Sequence, residues 1–190
     1  LNARSIDGDG AGIGGGFYGS GSCSNIIIDS CSVIASSKYG AGIGGSKQRA
    51  GSNITINSSS VTASSTDGAG IGGGGYGAGS GSNITINSSS VTASSTNGDG
   101  IGGGYEYGGS CKNITINGGS VKASSVSGSP TNEGKEVYCC TIENPENANV
   151  TIKTETGSSV WNGKPVNHSS LDPDDTNLYV WLPKLESNST

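Results

Sequence analysis

A single histidine, five cysteines and fifteen acids in 190 residues leave little for acid–base or nucleophilic chemistry. His168 lies in a polar stretch, and no Ser–His–Asp set assembles around it with any specificity. The cysteines, Cys23, Cys31, Cys111, Cys139 and Cys140, do not fall at zinc-ligand spacings. Asp7, Asp67 and Asp99, with Asn97 where an acid would complete the series, offer hard oxygens that suit calcium. Turn chemistry explains aspartate at such corners equally well, so no metal and no cofactor is expected. The better candidates are aromatic. A loop of changing sequence carries Phe17 and Tyr18, then Lys47, Gln48 and Arg49, then Tyr76, then Tyr105, Glu106 and Tyr107. Variable loops on one edge of a scaffold are where recognition concentrates. Tyr18, Tyr76, Tyr105 and Tyr107 are thus candidate ligand-binding residues, suited to stacking on sugar faces. The alternative is that they pack locally over a glycine-rich corner.

Asn-x-Ser/Thr sequons stand at Asn53, Asn57, Asn83, Asn87, Asn113, Asn149, Asn167 and Asn188. These are glycosylation candidates in a secreted chain, although a Ser/Thr/Asn-rich repeat also generates sequons by composition alone. Only 13% of residues are charged and the net charge is −5, which argues against a nucleic-acid partner. Nothing approaches 18 consecutive apolar residues, so this segment contains no expected membrane span. Without an initiator methionine or signal peptide, the segment reads as processed or excised.

The elements that would position these residues are repeats. A glycine–isoleucine motif recurs around Ile13, Ile43, Ile71 and Ile101. An N-I-x-I segment follows at Asn25, Asn53, Asn83 and Asn113, then V-x-A at Val33, Val61, Val91 and Val121. Each marker recurs after 28 or 30 residues, a period that means stacked units, none able to bury its own apolar face. In the unit from Asn53, alternation turns Ile54 and Ile56 inward and Asn53, Thr55 and Asn57 outward. Ser58–Ser60 turns the chain, Val61 and Ala63 point inward again, Thr66–Gly68 makes a second corner, and Ala69 and Ile71 face inward on a third strand. Three short strands per ~29-residue coil predict an all-β, right-handed parallel β-solenoid. Helical repeats need 3.6-residue patterns and few glycines, whereas this chain has 35.

The solenoid is expected over residues 1–125, a linker or altered corner over 126–132, and a small β cap or β domain over 133–190, where both tryptophans lie. The outward Asn/Thr rows offer a face for ordered water, as on ice-binding solenoids, or for glycan hydroxyls; cross-strand ladders that stiffen the sheet are the ordinary use of such rows. Leu1-Asn2-Ala3 aligns with Val61-Thr62-Ala63, so the segment begins inside a coil. Further chain upstream or end-to-end stacking would cover that edge.

Gly10-Ala11-Gly12-Ile13-Gly14-Gly15-Gly16, echoed at Gly40 and Gly68, resembles the GAGIGGG repeats of secreted surface proteins from gut bacteria and some microbial eukaryotes. Gly134–Tyr138 and Asn177–Pro183 resemble the VY and LYLWLP signatures that follow those repeats. The resemblance implies extracellular or cell-surface placement and a structural or adhesive role, with self-association or other surface proteins as partners and glycans as a further possibility. It carries no catalytic residues. A carbohydrate-binding module is the alternative; an ice-binding protein or a glycan-degrading enzyme ranks below it, and the enzyme lacks the charged cleft a polysaccharide lyase needs.

Cys139 and Cys140 follow Cys111 by 28 and 29 residues, one repeat. If the path winds once more, a disulfide from Cys111 to one of them joins adjacent coils. Cys23 faces Gly51 in the next coil, leaving Cys31 as its less secure partner.

Overall fold

A computed structural model of the 190-residue chain describes residues 1–16, 22–77, 79–107, 111–145, 148, 150–153, 159–163 and 175–183. The first coils are built from β1 (Asn2–Arg4), β2 (Ile13–Gly14), β3 (Cys23–Asp29), β4 (Ser32–Ser36), β5 (Ile43–Gly44), β6 (Gly51–Asn57), β7 (Ser60–Ser65) and β8 (Ile71–Gly72). Then come β9 (Gly81–Ser95), β10 (Ile101–Gly102) and β11 (Lys112–Ala123). In β9 and β11 the first two sides of a coil run on as one bent strand. The chain is an all-β parallel β-solenoid of about four turns, with no helix among the described residues.

Pairing is parallel and in register, so each residue stacks on its equivalent. Ile26 lies beside Ile54, Ile54 beside Ile84, and Ile84 beside Ile114. Val33, Val61, Val91 and Val121 form a second column, and Ile13, Ile43, Ile71 and Ile101 a third. The inward set expected from the repeat, Ile54, Ile56, Val61, Ala63, Ala69 and Ile71, is buried. Ile13 and Ile26, each the first residue of its column, are half-buried against this core.

Two backbone devices close each coil. Asn25, Asn53, Asn83 and Asn113 adopt φ of 62°, 53°, 52° and 60°, the left-handed region that asparagine tolerates better than most residues. The glycine strands lie too close to their neighbours for a side chain: a Cβ on Gly44 would sit 2.1 Å from the Gly72 carbonyl oxygen, and one on Gly72 equally close to that of Gly102. Both glycines have φ near +135°. The glycine run is therefore a packing requirement as well as a conformational one.

Past Ala123 the coil shortens. Val126 bridges Ile101, and Thr131 of β12 (Thr131–Asn132) pairs with Thr115. The step from Thr115 to Thr131 is 131 − 115 = 16 residues, against 115 − 85 = 30 for the coil before. Glu133 and Gly134, both at positive φ, then reverse the chain. β13 (Lys135–Ile142) runs antiparallel to β12 and to β16 (Leu178–Pro183), while β14 (Val150–Lys153) and β15 (Ser159–Gly163) form a separate hairpin.

β16 is fastened to the last coil by polar contacts. The Trp181 indole donates to the Val121 carbonyl (2.9 Å), and the Tyr179 amide donates to the Ser120 hydroxyl (2.9 Å). Lys122 pairs with Asp175, which also accepts from the Tyr179 hydroxyl (2.8 Å) and the Asn177 amide (3.0 Å). Burial pushes the Asp175 carboxyl up, but the donors around it prevail and hold it at about 2.

The contracted coil corrects the disulfide expectation. With Thr131 beside Thr115, the residue beside Cys111 is Ser127, whose hydroxyl accepts from the Cys111 amide at 3.2 Å. Cys139 and Cys140 lie on β13 opposite Trp181 and Val180. All five cysteines are free thiols, and the second expected bridge, Cys23–Cys31, is absent too.

Candidate functional site

The outward sheet face is a set of side-chain ladders. Asn53 donates to Asn25 (3.2 Å), Asn83 to Asn53 (2.9 Å) and Asn113 to Asn83 (2.9 Å). A second column runs from Asn117 to Asn87 (2.8 Å) and from Asn87 to Asn57 (2.9 Å). Five of the sequon asparagines, Asn53, Asn57, Asn83, Asn87 and Asn113, thus belong to ladders, and Asn149, Asn167 and Asn188 lie outside the described residues. Between the ladders runs one threonine column, Thr55, Thr85, Thr115 and Thr131, replaced in the first coil by the exposed Ile27.

Serines staple the corners. Ser37, Ser65 and Ser95 each donate to a glycine carbonyl of the preceding coil, at 2.6–2.7 Å. Ser59 and Ser89 donate to the asparagine carbonyl two residues back, at 2.6 and 2.8 Å, and also reach an isoleucine carbonyl of the preceding coil. Each hydroxyl thus binds its own coil to the one below it.

The variable loop stacks as well. The amides of Lys47, Gly75 and Tyr105 donate to the carbonyls of Asp9, Tyr39 and Asp67, so each loop crosses the corner of the preceding coil. This places Tyr76 between Tyr39 and Tyr105, with ring centroids 5.9 and 6.0 Å away and edge-to-face geometry. Lys47 lies 3.3 Å from the Asp9 carboxylate and over the rings of Tyr39 (4.8 Å) and Tyr76 (5.6 Å); Lys38 covers Tyr39 as well (4.7 Å). The Tyr76 hydroxyl donates to buried Asp67 at 3.0 Å, which holds its proton more tightly than an ordinary tyrosine does. Asn97 donates to the other oxygen of Asp67 at 2.6 Å.

The structure therefore divides the tyrosine candidates. Tyr76 packs inward and its hydroxyl is engaged; Tyr105 and Tyr107 are 41% and 89% exposed. Tyr18 and His168 lie outside the described residues. Tyr39 and Lys47 were not among the residues singled out for ligand binding. Tyr39 occupies the corner column of Asp9, Asp67 and Asn97, and no motif marks it as a partner of a loop 37 residues on. Asp67 and Asp99 serve the corners: Asp99 accepts from the Gly103 amide (3.0 Å) and the Ser125 hydroxyl (2.9 Å). Among the described residues no three His, Cys, Asp or Glu side chains gather as metal ligands. Burial and nearby Asp99 push the Cys111 thiol up to about 12, so it is held as an unreactive thiol.

Parallel coils of this register define a β-helix repeat protein. The comparison with known families agrees: residues 26–47, 54–76, 84–105 and 114–129 match the beta helix repeat family, one match per coil. No curated protein and no solved structure matches the chain. Beta helix repeats occur in enzymes and in structural proteins alike, so the fold by itself does not assign an activity.

Proposed function

We propose that this chain is an extracellular structural or adhesive module of a cell surface. The observation that carries the reading is where its polar side chains go. The asparagines of the flat face, the corner serines, Asn97 to Asp67 and Lys47 to Asp9 bond from one coil to the next. Such a molecule is built for stiffness along its axis, which suits a spacer or a matrix component. The glycine–isoleucine repeats and the VY and LYVWLP segments, similar to those of secreted surface proteins, support the same placement. Self-association or contact with other surface proteins is the expected partnership. N-glycosylation on the solenoid would be sparse, because neighbouring sequons of a column stand only about 4.8 Å apart and their amides donate along the ladder. Antibodies against the purified chain test the placement on the cells that make it. Staining of intact, unpermeabilised cells is expected; staining only after permeabilisation overturns the proposal.

A second reading, a carbohydrate-binding module, is favoured by one observation: the loop edge leaves Tyr105 and Tyr107 exposed beside the packed Tyr76.

A further inference from the structure

The three loop tips stack in register. The Gln48 amide donates to the Gly75 carbonyl, the Tyr76 amide to that of Tyr105, and the Gly77 amide to that of Glu106. Gln48, Tyr76 and Glu106 therefore form one column, flanked by a second that holds Arg49 and Tyr107. The backbone at Gln48, Tyr76, Glu106 and Tyr107 is left-handed, with φ of 65°, 61°, 50° and 60°. Side chains are disfavoured there, and glycine would relieve the strain. This chain uses glycine 35 times, yet keeps side chains at these tips.

Most other strained positions have a visible return. The asparagines at positive φ form ladders, and Ser30, Ser58 and Ser88 turn the corners beside them. Tyr76 gains two ring contacts and the Asp67 bond. Gln48, Glu106 and Tyr107 are different. Their side chains are exposed and make no hydrogen bond, ion pair or ring contact with any described residue. Persistent strain without an internal return points to use outside the molecule.

We infer that the tip column, Gln48 and Arg49 through Tyr105, Glu106 and Tyr107, binds a neutral polysaccharide lying along the solenoid axis. This inference rests on the carbohydrate-binding reading and names its ligand class and its residues. Gln48, Arg49 and Glu106 are planar groups with paired donors or acceptors, which match the vicinal hydroxyls of a sugar ring. The exposed rings of Tyr105 and Tyr107 present faces for the apolar side of a sugar. Arg49 and Glu106 carry opposite charges, so the tip favours an uncharged chain over a polyanion. Gln48 and Glu106 are two coils apart, about 10 Å at the ordinary strand spacing, so the site asks for a chain of linked sugars.

Affinity electrophoresis in gels containing a soluble neutral β-glucan, xylan or galactomannan tests this, with alginate as the anionic comparison. The protein should be retarded by at least one neutral polymer. The double variant Gln48→Gly/Glu106→Gly and the single variant Tyr107→Gly should each lose at least tenfold in affinity, with a melting temperature equal to or above that of the parent. Retardation that survives these variants overturns the inference and leaves the carbohydrate reading standing. Retardation by alginate alone overturns the neutral ligand class. No retardation in any gel overturns the inference and the carbohydrate reading together, while the cell-surface placement keeps its own test. A glycine variant that unfolds or melts lower shows an internal role for the side chains and overturns the inference as well.

Discussion

Replacing Ile84 with alanine isolates the core column that holds the coils together. Ile84 is fully buried and stacks between Ile54 and Ile114 in unbroken parallel register. The substitution deletes three carbon atoms, about 2.4 kcal/mol at roughly 0.8 kcal/mol per buried methylene. Stacked strands cannot collapse into the gap without breaking register, so a cavity penalty adds to the transfer loss. The total should fall within about 2–5 kcal/mol, the range for Ile→Ala in a packed core. Two measurements check it. Urea unfolding followed by circular dichroism reads the loss of stability, and native-state hydrogen exchange reads where it falls. Because each coil leans on its neighbours, protection should drop in β6, β9 and β11 together, before the distant β1 and β4. Thr85→Ala, one residue on and facing outward, is the control and should change stability by no more than about 0.5 kcal/mol. An Ile84→Ala effect below about 0.5 kcal/mol, or a loss of protection spread evenly over the molecule, would refute the inward assignment and the neighbour coupling.

Gly72→Ala should cost at least about 3 kcal/mol from backbone strain and overpacking together, since its new Cβ would meet the Gly102 oxygen at 2.1 Å; Gly16→Ala, with open space around the new carbon, should melt like the parent. Asp175, held at about 2 against an ordinary 3.8, contributes stability above pH ~4 that is lost as pH falls toward 2. The difference in melting temperature between the parent and Asp175→Asn should therefore shrink from pH 5 to pH 2, and a constant gap would refute the Lys122–Asp175 clasp. Ellman's reagent should label the exposed Cys31 and Cys140 in the native protein, and Cys111 only after unfolding. Asn97→Asp should cost about 1–3 kcal/mol at pH 7, the range for stranding a buried partner, because it removes the donor to Asp67 and sets a second carboxylate beside it. A loss below about 0.5 kcal/mol would count against the contact.

The coil was legible because parallel pairing in register turns a one-dimensional repeat into columns. Once Ile54, Ile84 and Ile114 are equivalent in sequence, in-register stacking makes them neighbours in space, and alternation within each strand decides which face they take. The break in the period was legible as a linker or altered corner at 126–132, but its size was not. The contraction from 30 residues to 16 at Thr131 moved Ser127 to the place where spacing had put Cys139 or Cys140. The loop edge was half legible. Its variability pointed to Tyr76 and Tyr105, but the ring of Tyr39 and the ammonium of Lys47 reach Tyr76 through loops that cross the preceding corner. The clasp between Lys122 and Asp175 joins groups 53 residues apart, and nothing local announces it.

Like-on-like stacking also accounts for the chemistry this chain avoids. A column brings each residue within about 4.8 Å of its equivalents above and below, so any charge placed in the repeat faces copies of itself. Asparagine escapes the conflict because one amide both donates and accepts, and identical residues then satisfy one another. Both ladders work in this way, with every bond running from the later coil to the earlier. Carboxylates cannot pair so, and the acids are placed accordingly. In the corner column Asp9 and Asp67 are separated by Tyr39, and Asp67 is followed by Asn97, which donates to it. Asp29 opens the second asparagine column at its first position, beside Asn57. The 13% of charged residues follows from this geometry more than from any functional economy. Long charged and aromatic side chains then appear at the tips of the variable loops, where the stacked columns hold unlike residues, Gln48, Tyr76 and Glu106 in one and Arg49, Gly77 and Tyr107 in the next. The same rule that keeps like charges off the repeated faces leaves the varied side chains of the chain to that one edge.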